Sequence, residues 1–558
     1  MEMHRKKVVF SPELLILVST VLITVAILPS GSLDPMNLPK LTLLIVFGFI
    51  LIGFVVTKKE FLKENLNRSV LILSFLFLLQ LCLVFILDDR DFSVKFYGVQ
   101  GRNTGLLAYF SLTFFLVTSV MIASNKFIQT YMKTFASLGL ILGIYGVLQS
   151  NNIEFFRYEN LYASRVFGTF GNPNFQSAFM GMVAAAAITL LLFAKLSFFH
   201  RICLFILILV CLFNIFVSSE QGYLALAAGL WASITVYFLM RKKLITGLAL
   251  IFSGSISGVL VILGILNKGP LSQYLFESSL QARSFYWQAA TNMIVSNPLK
   301  GVGMDAYGDW YRRARSEYAA SIGPDTVADS AHNIVLDLGA SGGVPLMLFY
   351  LLFIIIAVLS ITKMIKSQSE VNPYYLSLVG VWVAYQAQSI ISINQLGLGI
   401  WGWTMTGLLI GFRPAENPGA NSSAVKGSKV AIRESKKSPN VALMAFGLAG
   451  LLIAAPNYQA SHNFYRALVS ADPQRIQESV YENPQNSYFY TYVARVMLLN
   501  NYNREAIQIL RDATDRYPDS TELWKIWLTA PTASVDEIQK AKSNLKRLDP
   551  YNPNLRKL

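Results

Sequence analysis

One histidine in this chain lies where acid–base chemistry would be useful. The 558 residues include four histidines, and His332 is followed directly by Asn333 and then by a glycine-rich start of an apolar segment. Histidine titrates near neutral pH, so a neutral imidazole can take a proton from a hydroxyl group. A lone histidine in a loop is usually unremarkable, so the residues around His332 must decide its role.

An arginine and a tryptophan form a second candidate pair. Arg283 and Trp287 are four residues apart, and this spacing places both side chains on one face of a helix. A guanidinium group binds phosphate oxygens in a fork geometry, and an indole favours the interface between membrane and water. The pair is typical of a site that holds an anionic headgroup above an acyl chain.

A third candidate is the stretch from Arg165 to Asn174, which reads Arg-Val-Phe-Gly-Thr-Phe-Gly-Asn-Pro-Asn and precedes an apolar segment. Asn174 can cap the helix that starts there, and the turn with Asn172 exposes backbone N–H groups. Helix N-termini carry a positive partial charge and bind phosphates. The alternative is a plain turn that caps the helix.

Arg102 and an acidic run complete the set. Arg102 follows a glycine-rich turn, and its role is open between a site residue and an arginine whose stem lies along lipid. The run from Asp88 to Asp91 favours a solvated acidic loop over a metal site, because no second carboxylate cluster is evident. We therefore expect no bound metal and no cofactor.

The composition predicts the elements that must position these residues. Hydrophobic residues make up 54% of the chain, charged residues make up 14%, and the mean hydropathy is +0.46. Soluble domains carry about 25% charged residues. Apolar runs near membrane-spanning length recur, which predicts an all-α polytopic membrane protein. We predict thirteen spans, at residues 13–29, 39–57, 69–87, 106–124, 134–150, 175–194, 202–218, 223–240, 244–266, 343–362, 374–392, 396–412 and 440–456.

The distribution of basic residues predicts the orientation. The net charge is +15, but many lysines and arginines cluster in every second loop, and therefore on one side of the membrane, which indicates an anionic membrane surface and no nucleic acid. The N-terminus is then cytoplasmic, as is the basic linker 413–439. Three longer segments, 88–105, 150–174 and 267–342, face outward and contain every candidate residue above. The three cysteines lie within apolar runs, so we expect no disulfide framework.

The residues from 457 to 558 are polar and tyrosine-rich, with a helical pattern. Pro484 and Pro518 are 34 positions apart, and Pro550 follows 32 positions later. This spacing predicts one to three tetratricopeptide-like repeats, and a generic bundle of helical hairpins is the alternative. With thirteen spans this domain is extracytoplasmic. The organisation is then a transmembrane catalytic domain at 1–412 with its outer loop 267–342, the linker, a last span at 440–456 and the repeat-like domain.

Taken in order, the outer motifs resemble those of the O-antigen ligase and polymerase superfamily over roughly residues 90–412. Each motif is weak alone, and their order and shared outer side make the set specific. A later stretch that ends at Trp401 and Trp403 is similar to that of members with C-terminal tetratricopeptide repeats. The motifs that carry the resemblance are Arg165-x-Phe-Gly-Thr-Phe-Gly-Asn-Pro-Asn174, Arg283-x3-Trp287, Asn297-Pro298-Leu-x-Gly301-x-Gly303 and His332-Asn333-x6-Gly339-x2-Gly342.

The resemblance implies a membrane glycosyltransferase of the GT-C type in a bacterial cytoplasmic membrane. Its donor would be a polyprenyl-diphosphate-linked glycan in the outer leaflet, and its acceptor a glycan, lipid or protein hydroxyl. His332 would match the family base that activates the acceptor, and Arg283 would match an arginine that binds the donor diphosphate. Arg165, Arg102, Asn172, Asn174, Trp287 and Asn333 are the further candidates for contacts with the donor.

The chain departs from the family pattern at one position. Many members have Ser-Arg-Gly at the outer start of a span, where this chain reads Ser-Ser-Glu-Gln-Gly at 218–222. A second diphosphate arginine is therefore missing, and Arg165 or Arg102 could replace its charge.

Two other classes of function compete with glycan transfer. A transporter or flippase of lipid-linked glycans would need charged pairs within the spans, where the sequence has few charges. A scaffold that recruits a protein partner through its repeats would explain the C-terminal domain but not the arginines and His332. We therefore predict inverting, metal-independent glycan transfer.

Overall fold

The computed structural model describes residues 11–28, 31–57, 68–155, 165–275, 278–367, 370–413 and 439–556. Within these ranges every regular element is a helix, which confirms the predicted all-α class. Most of the predicted linker 413–439 lies outside the described residues, as do the basic residues before position 11 and those of the loop 58–67. The helices are α1 (Pro12–Val25), α2 (Asn37–Thr57), α3 (Arg68–Leu87), α4 (Phe92–Tyr97), α5 (Leu106–Ile122), α6 (Asn125–Ser150), α7 (Pro173–Phe193), α8 (Phe198–Ser218), α9 (Gln221–Met240), α10 (Leu244–Ile265), α11 (Ser272–Leu275), α12 (Ser278–Ser296), α13 (Tyr307–Ala314), α14 (Glu317–Ile322), α15 (Ile334–Ser367), α16 (Pro373–Ser389), α17 (Leu396–Gly411), α18 (Pro439–Ser470), α19 (Pro473–Ser479), α20 (Ser487–Leu499), α21 (Asn503–Arg516), α22 (Thr521–Trp527), α23 (Val535–Leu548) and α24 (Pro553–Arg556).

Long apolar helices dominate the first three quarters of the chain. Among the described residues, nine helices are long and apolar enough to cross a membrane: α2, α3, α6, α7, α8, α9, α10, α15 and α18. The shorter apolar helices α1, α5 and α17, together with α16, coincide with the remaining predicted spans. The protein is thus a polytopic membrane protein, and the number thirteen stays a prediction.

The transmembrane helices pack closely where small residues meet. At the crossing of α7 and α9, a Cβ atom added to Gly181 would lie within van der Waals exclusion of the carbonyl oxygen of Gly222. Helices in a membrane gain stability from such close backbone approach, since lipid offers no hydrophobic drive between them. Helices α18 and α2 also approach closely, because a Cβ atom added to Gly450 would lie 3.0 Å from the Cα of Val46.

Helix α15 is broken near its N-terminal end. Gly343 has φ +75°, a backbone conformation that favours glycine, and Pro345 has no N–H to give. The carbonyl groups freed by the break therefore accept other donors. Val302 N–H donates to Ala340 O (2.8 Å), Gly303 N–H to Ser341 O (3.0 Å) and Gln80 Nε2 of α3 to Gly342 O (2.9 Å).

The break gives a structural role to the stretch from Asn297 to Gly303. Val302 and Gly303 of this stretch supply two of the donors above, and Pro298 O accepts the N–H of Val344 at 2.7 Å. We expected the tenth span to start at Gly343, and the break in α15 coincides with that position; a further helical stretch that begins at Ile334 precedes it. The sequence pattern marks only the apolar part, since the first nine residues carry little hydrophobic periodicity.

The C-terminal residues form a packed helical unit that α18 joins to the membrane helices. Helix α18 continues through Pro456 to Ser470, beyond the predicted end of the last span. Helices α20 and α21 form a helical pair between Pro484 and Pro518. The tetratricopeptide-like assignment of this unit stays a prediction. Its apolar core includes Phe464, Phe489, Leu510, Trp524 and Leu545.

Ion pairs hold the acidic run after α3 in place, so it is not the solvated loop that we expected. Asp88 forms an ion pair with Arg90 (2.8 Å), and both side chains are largely buried. Asp91 caps α4 through Ser93 N–H (3.0 Å) and pairs with Arg516 of α21 (2.6 Å). The contact between Asp91 and Arg516 joins distant parts of the chain, which composition alone does not reveal.

Candidate functional site

His332 lies in the connection between α14 and α15. Its backbone has φ +50°, and its N–H donates to the side chain of Ser330 (3.1 Å). The half-buried imidazole contacts the ring of Tyr286, with the ring centres 5.4 Å apart. Burial lowers the pKa of His332 to about 4, while Asp329 opposes this change and Arg283 adds to it. The imidazole is therefore neutral at pH 7 and able to accept a proton.

Arg283 is the charged neighbour that distinguishes this site. It lies on α12, its side chain is 9% exposed, and its Nε has no hydrogen-bond partner. No carboxylate of the described residues forms an ion pair with it, and burial lowers its pKa, opposed by Tyr286. A buried cation without a counter-charge is unfavourable. Such a group is typical of a site that receives an anion.

Trp287 connects Arg283 to an apolar surface at the membrane end. Its ring is buried against Ile265 at the end of α10, and against Ile391 and Leu336. One helical turn therefore separates a cation from an apolar cluster at the end of a membrane-spanning helix. This geometry fits an anionic headgroup joined to a hydrocarbon chain.

Arg102 differs from Arg283 because its charge is compensated. Its guanidinium forms ion pairs with Asp305 and with Asp337, both at 3.0 Å, and donates to the carbonyl oxygen of Asp329 (2.8 Å). Burial lowers the pKa of Arg102, but Asp337, Asp305 and Asp329 outweigh that effect and the net pKa is raised. Arg102 thus cross-links three segments beside His332. Because carboxylates compensate its charge, it attracts an anionic ligand only weakly.

Asn333 supports the start of α15. Its side-chain oxygen accepts the N–H of Leu336 (3.1 Å), and its carbonyl oxygen accepts the N–H of Asp337 (2.8 Å). The residue is buried next to His332, so it fixes the first helical turn after the histidine.

Arg165 lies apart from the residues above. Its side chain is exposed and forms no described contact with Arg283 or His332. The segment that follows is anchored by Lys40, a fully buried lysine at the start of α2, whose Nζ donates to Thr169 O (2.8 Å). Sequence reasoning missed Lys40, although a lysine at the predicted outer end of an apolar span departs from the positive-inside pattern.

The two asparagines at the start of α7 have separate partners. The N-cap is Asn172, whose Oδ1 accepts the N–H of Asn174 (2.8 Å), so our expectation that Asn174 caps the helix was wrong. The reason is Pro173, which occupies the first helical position and has no N–H that needs a partner. Asn174 Oδ1 instead accepts from Ser219 Oγ (2.5 Å). It therefore reaches the segment where the family arginine is absent.

Sequence reasoning also missed Tyr286, Asp305 and Asp337. Tyr286 stands between Arg283 and Trp287 in the chain, and its ring covers His332. Asp337 is badly spaced to share a helical face with His332, but its Oδ1 accepts the N–H of Ala331 (3.1 Å) and fixes the histidine's neighbour. No local pattern marks Asp305, because its partner Arg102 lies far away in the sequence.

The fold and the site define a class: a polytopic membrane protein with a neutral histidine beside a buried arginine that has no carboxylate partner among the described residues, at one end of its helices. Residues 174–351 match the family model described as O-antigen ligase, and this match places that part of the chain in the O-antigen ligase superfamily. The matched segment includes Arg283, Trp287 and His332. No curated protein matches the chain. With the apolar helices, the match indicates a multi-pass protein of a bacterial inner membrane that takes part in glycan transfer.

Proposed function

We propose that the protein is a glycosyltransferase that moves an oligosaccharide or polysaccharide from a polyprenyl (undecaprenyl) diphosphate donor to an acceptor hydroxyl. The reaction takes place at the outer face of the membrane. The observation that carries the proposal is the buried Arg283, which has no carboxylate partner among the described residues and lies beside the neutral His332. The family match supports glycan transfer at a membrane in general.

Arg283 and Trp287 bind the donor in this proposal. The guanidinium contacts the diphosphate, and the apolar cluster around Trp287 receives the first isoprene units. Diphosphate is a good leaving group, and a fixed cation stabilises the negative charge that develops as the glycosidic bond breaks. This stabilisation requires no metal ion.

His332 acts as the general base. The acceptor oxygen bonds to the anomeric carbon from the side opposite the diphosphate, the hydroxyl proton passes to His332, and polyprenyl diphosphate leaves. The configuration at the anomeric carbon is thereby inverted. A pKa of about 4 makes the free imidazole a weak base. The negative charge of a bound diphosphate offsets Arg283, which raises the pKa of His332 and strengthens the base when the donor is present.

The remaining candidates take supporting roles. Arg102 is neutralised by two carboxylates and holds the loops around the site. Arg165 forms no ion pair with described residues and remains the candidate for a second phosphate contact. Asn172 and Asn333 act through the helix starts that they cap, and Asn174 through Ser219.

The test is glycan transfer by the purified protein in nanodiscs, with a polyprenyl-diphosphate oligosaccharide as donor and EDTA present. His332→Ala and Arg283→Ala are compared with wild type and with two controls at exposed positions, His200→Ala and Arg504→Ala. We expect wild type and controls to release polyprenyl diphosphate and form product, and both site variants to lose at least about 100-fold in rate.

Three results would contradict the proposal. Wild-type rates in His332→Ala and Arg283→Ala would remove both residues from the chemistry. Loss of transfer in EDTA would contradict metal independence, and a product of retained anomeric configuration, detected by NMR, would contradict the single displacement. Movement of the donor across the bilayer without transfer would favour a flippase instead.

A further inference from the structure

Helix α13 (Tyr307–Ala314) lies between the His332 site and the C-terminal helices, and its two faces differ. On one face, Tyr311 contacts the ring of Tyr286 at a centroid distance of 5.5 Å, and Tyr286 in turn covers His332. Tyr307 stacks on Tyr311 and donates its hydroxyl to Tyr286 O (2.6 Å). This face therefore forms the wall behind the imidazole.

The other face of α13 is basic and contacts the C-terminal helices. Arg312 pairs with Glu522 of α22 at 3.0 Å, and Arg313 pairs with Asp519 at 3.5 Å. Both carboxylates are partly exposed, so salt weakens these two contacts. They orient the C-terminal helices on α13 but do not by themselves hold the loop that leads to His332.

A fully buried ion pair lies one residue beyond α13. Arg315 and Asp549 are 2.7 Å apart, and both side chains have no exposed surface. The guanidinium also donates to Gly323 O (2.9 Å) and Pro324 O (2.8 Å). Asn552 Nδ2 donates to Pro324 O (3.0 Å) and to Asp549 (2.9 Å). Side chains from the end of the chain thus complete the turn at 323–324.

That turn starts the irregular segment that leads to His332. Residues 325–331 contain no helix, so side-chain contacts must fix their path. At the far end Arg102 donates to Asp329 O (2.8 Å), a contact made from the transmembrane domain. At the near end the contacts come from Arg315 and from the C-terminal helices, including an ion pair between Lys525 and Asp325 (3.0 Å). Contacts near both of its ends therefore hold the segment 323–331 in place.

We propose that Arg315, held by Asp549 of the C-terminal helical unit, is a positioning residue for His332, and that this unit keeps the His332 loop closed over the site. Removal of the Asp549 charge leaves a buried guanidinium without a counter-charge, which favours an open loop in which Arg315 reaches water. The consequence for catalysis rests on the proposed function, whereas the consequence for the loop does not.

The first test measures the pKa of His332 from its own NMR signals. The chain has four histidines, so the imidazole signals of ¹³C-labelled histidine can be assigned by substitution. The charged and titratable groups that face His332 are Asp329, Arg283, Arg102 and Tyr286. In wild type we expect a His332 pKa of about 4. In Asp549→Asn and Arg315→Met we expect the pKa to rise by at least about one unit, because burial is its main cause.

Hydrogen exchange gives an independent measurement of the same opening. In both variants we expect amide exchange in residues 323–331 to increase about tenfold or more, with no change in α20 and α21. Asp536→Asn, at an exposed carboxylate of the neighbouring α23, is the matched control and should behave as wild type. If Asp549→Asn unfolds the C-terminal helices, Asn552→Ala, which removes one amide from the turn, should still accelerate exchange at 323–331.

The transfer assay separates positioning from donor binding. Arg283 and Trp287 lie on α12, outside the loop, so Asp549→Asn should lower kcat about tenfold or more and leave the KM for donor unchanged. Wild-type pKa and exchange in Asp549→Asn and Arg315→Met, with the C-terminal helices folded, would overturn the proposal. If wild type transfers no glycan, the proposed function fails, and the pKa and exchange data still decide the role of Arg315.

Discussion

The buried arginines Arg102, Arg283 and Arg315 differ in their counter-charges. Arg102 has two carboxylates at 3.0 Å, Arg315 has one carboxylate and two carbonyl groups, and Arg283 has none among the described residues. A compensated buried arginine holds structure, whereas an uncompensated one is unfavourable until an anion arrives. The residue type is the same in all three cases, so the environment decides the role.

This difference predicts opposite effects of the same substitution on stability. Arg102→Met leaves Asp305 and Asp337 buried without a cation, which should cost about 3–5 kcal/mol of folding free energy. Arg283→Met removes an unpaired charge and should leave stability unchanged or raise it by about 1 kcal/mol, although transfer is lost. Thermal unfolding of both variants in one detergent checks this. Similar unfolding temperatures for the two variants would contradict the assignment of roles.

At the scale of elements, the broken helix α15 determines where His332 lies. The break at Gly343 lets the Asn297–Gly303 stretch lie against the freed carbonyl groups, which fixes the position of α12 relative to α15. This contact thereby fixes Arg283 on α12 relative to His332 before α15. Glycine is required because the backbone is left-handed there and approaches Pro298 and Leu299 closely.

Substitution of Gly343 should be destabilising. In Gly343→Ala the added Cβ would lie 2.6 Å from Pro298 O, at a φ of +75° that alanine rarely adopts. We expect a loss of about 1–3 kcal/mol and reduced transfer. Gly258→Ala on α10, where the Cβ would meet no atom within 4 Å, is the control and should be neutral or stabilising by up to about 1 kcal/mol. Thermal unfolding and the transfer assay are applied to both variants. Equal stability of the two would contradict the structural role of Gly343.

At the scale of the whole molecule, the outer segments and the C-terminal helices must share one side of the membrane, because they contact each other. Asp91 pairs with Arg516, and Arg315 with Asp549, across segments that are distant in the sequence. The distribution of basic loops predicts that this side is extracytoplasmic. The C-terminal unit then covers the His332 loop from the side away from the lipid.

Cysteine labelling in intact cells tests this orientation. In a background without the three native cysteines, Leu499→Cys on the exposed surface of α20 should react with a maleimide that cannot cross membranes. Lys242→Cys, in the basic turn between α9 and α10, should react only after the membrane is permeabilised. The opposite pattern would reverse the orientation and place the site on the cytoplasmic side, where the proposed reaction does not occur.

The sequence by itself determined the helical membrane class, the positions of the apolar segments and the candidate pair of Arg283 and His332. Hydrophobic length and local motif spacing are properties of neighbouring residues, so they can be derived without a structure. The cap at Asn172 was mistaken because polar helix ends carry weak patterns. The structure alone decided which arginine is compensated and that Asp549 pairs with Arg315. Both depend on carboxylates far away in the chain, which come near the site only when the helices pack.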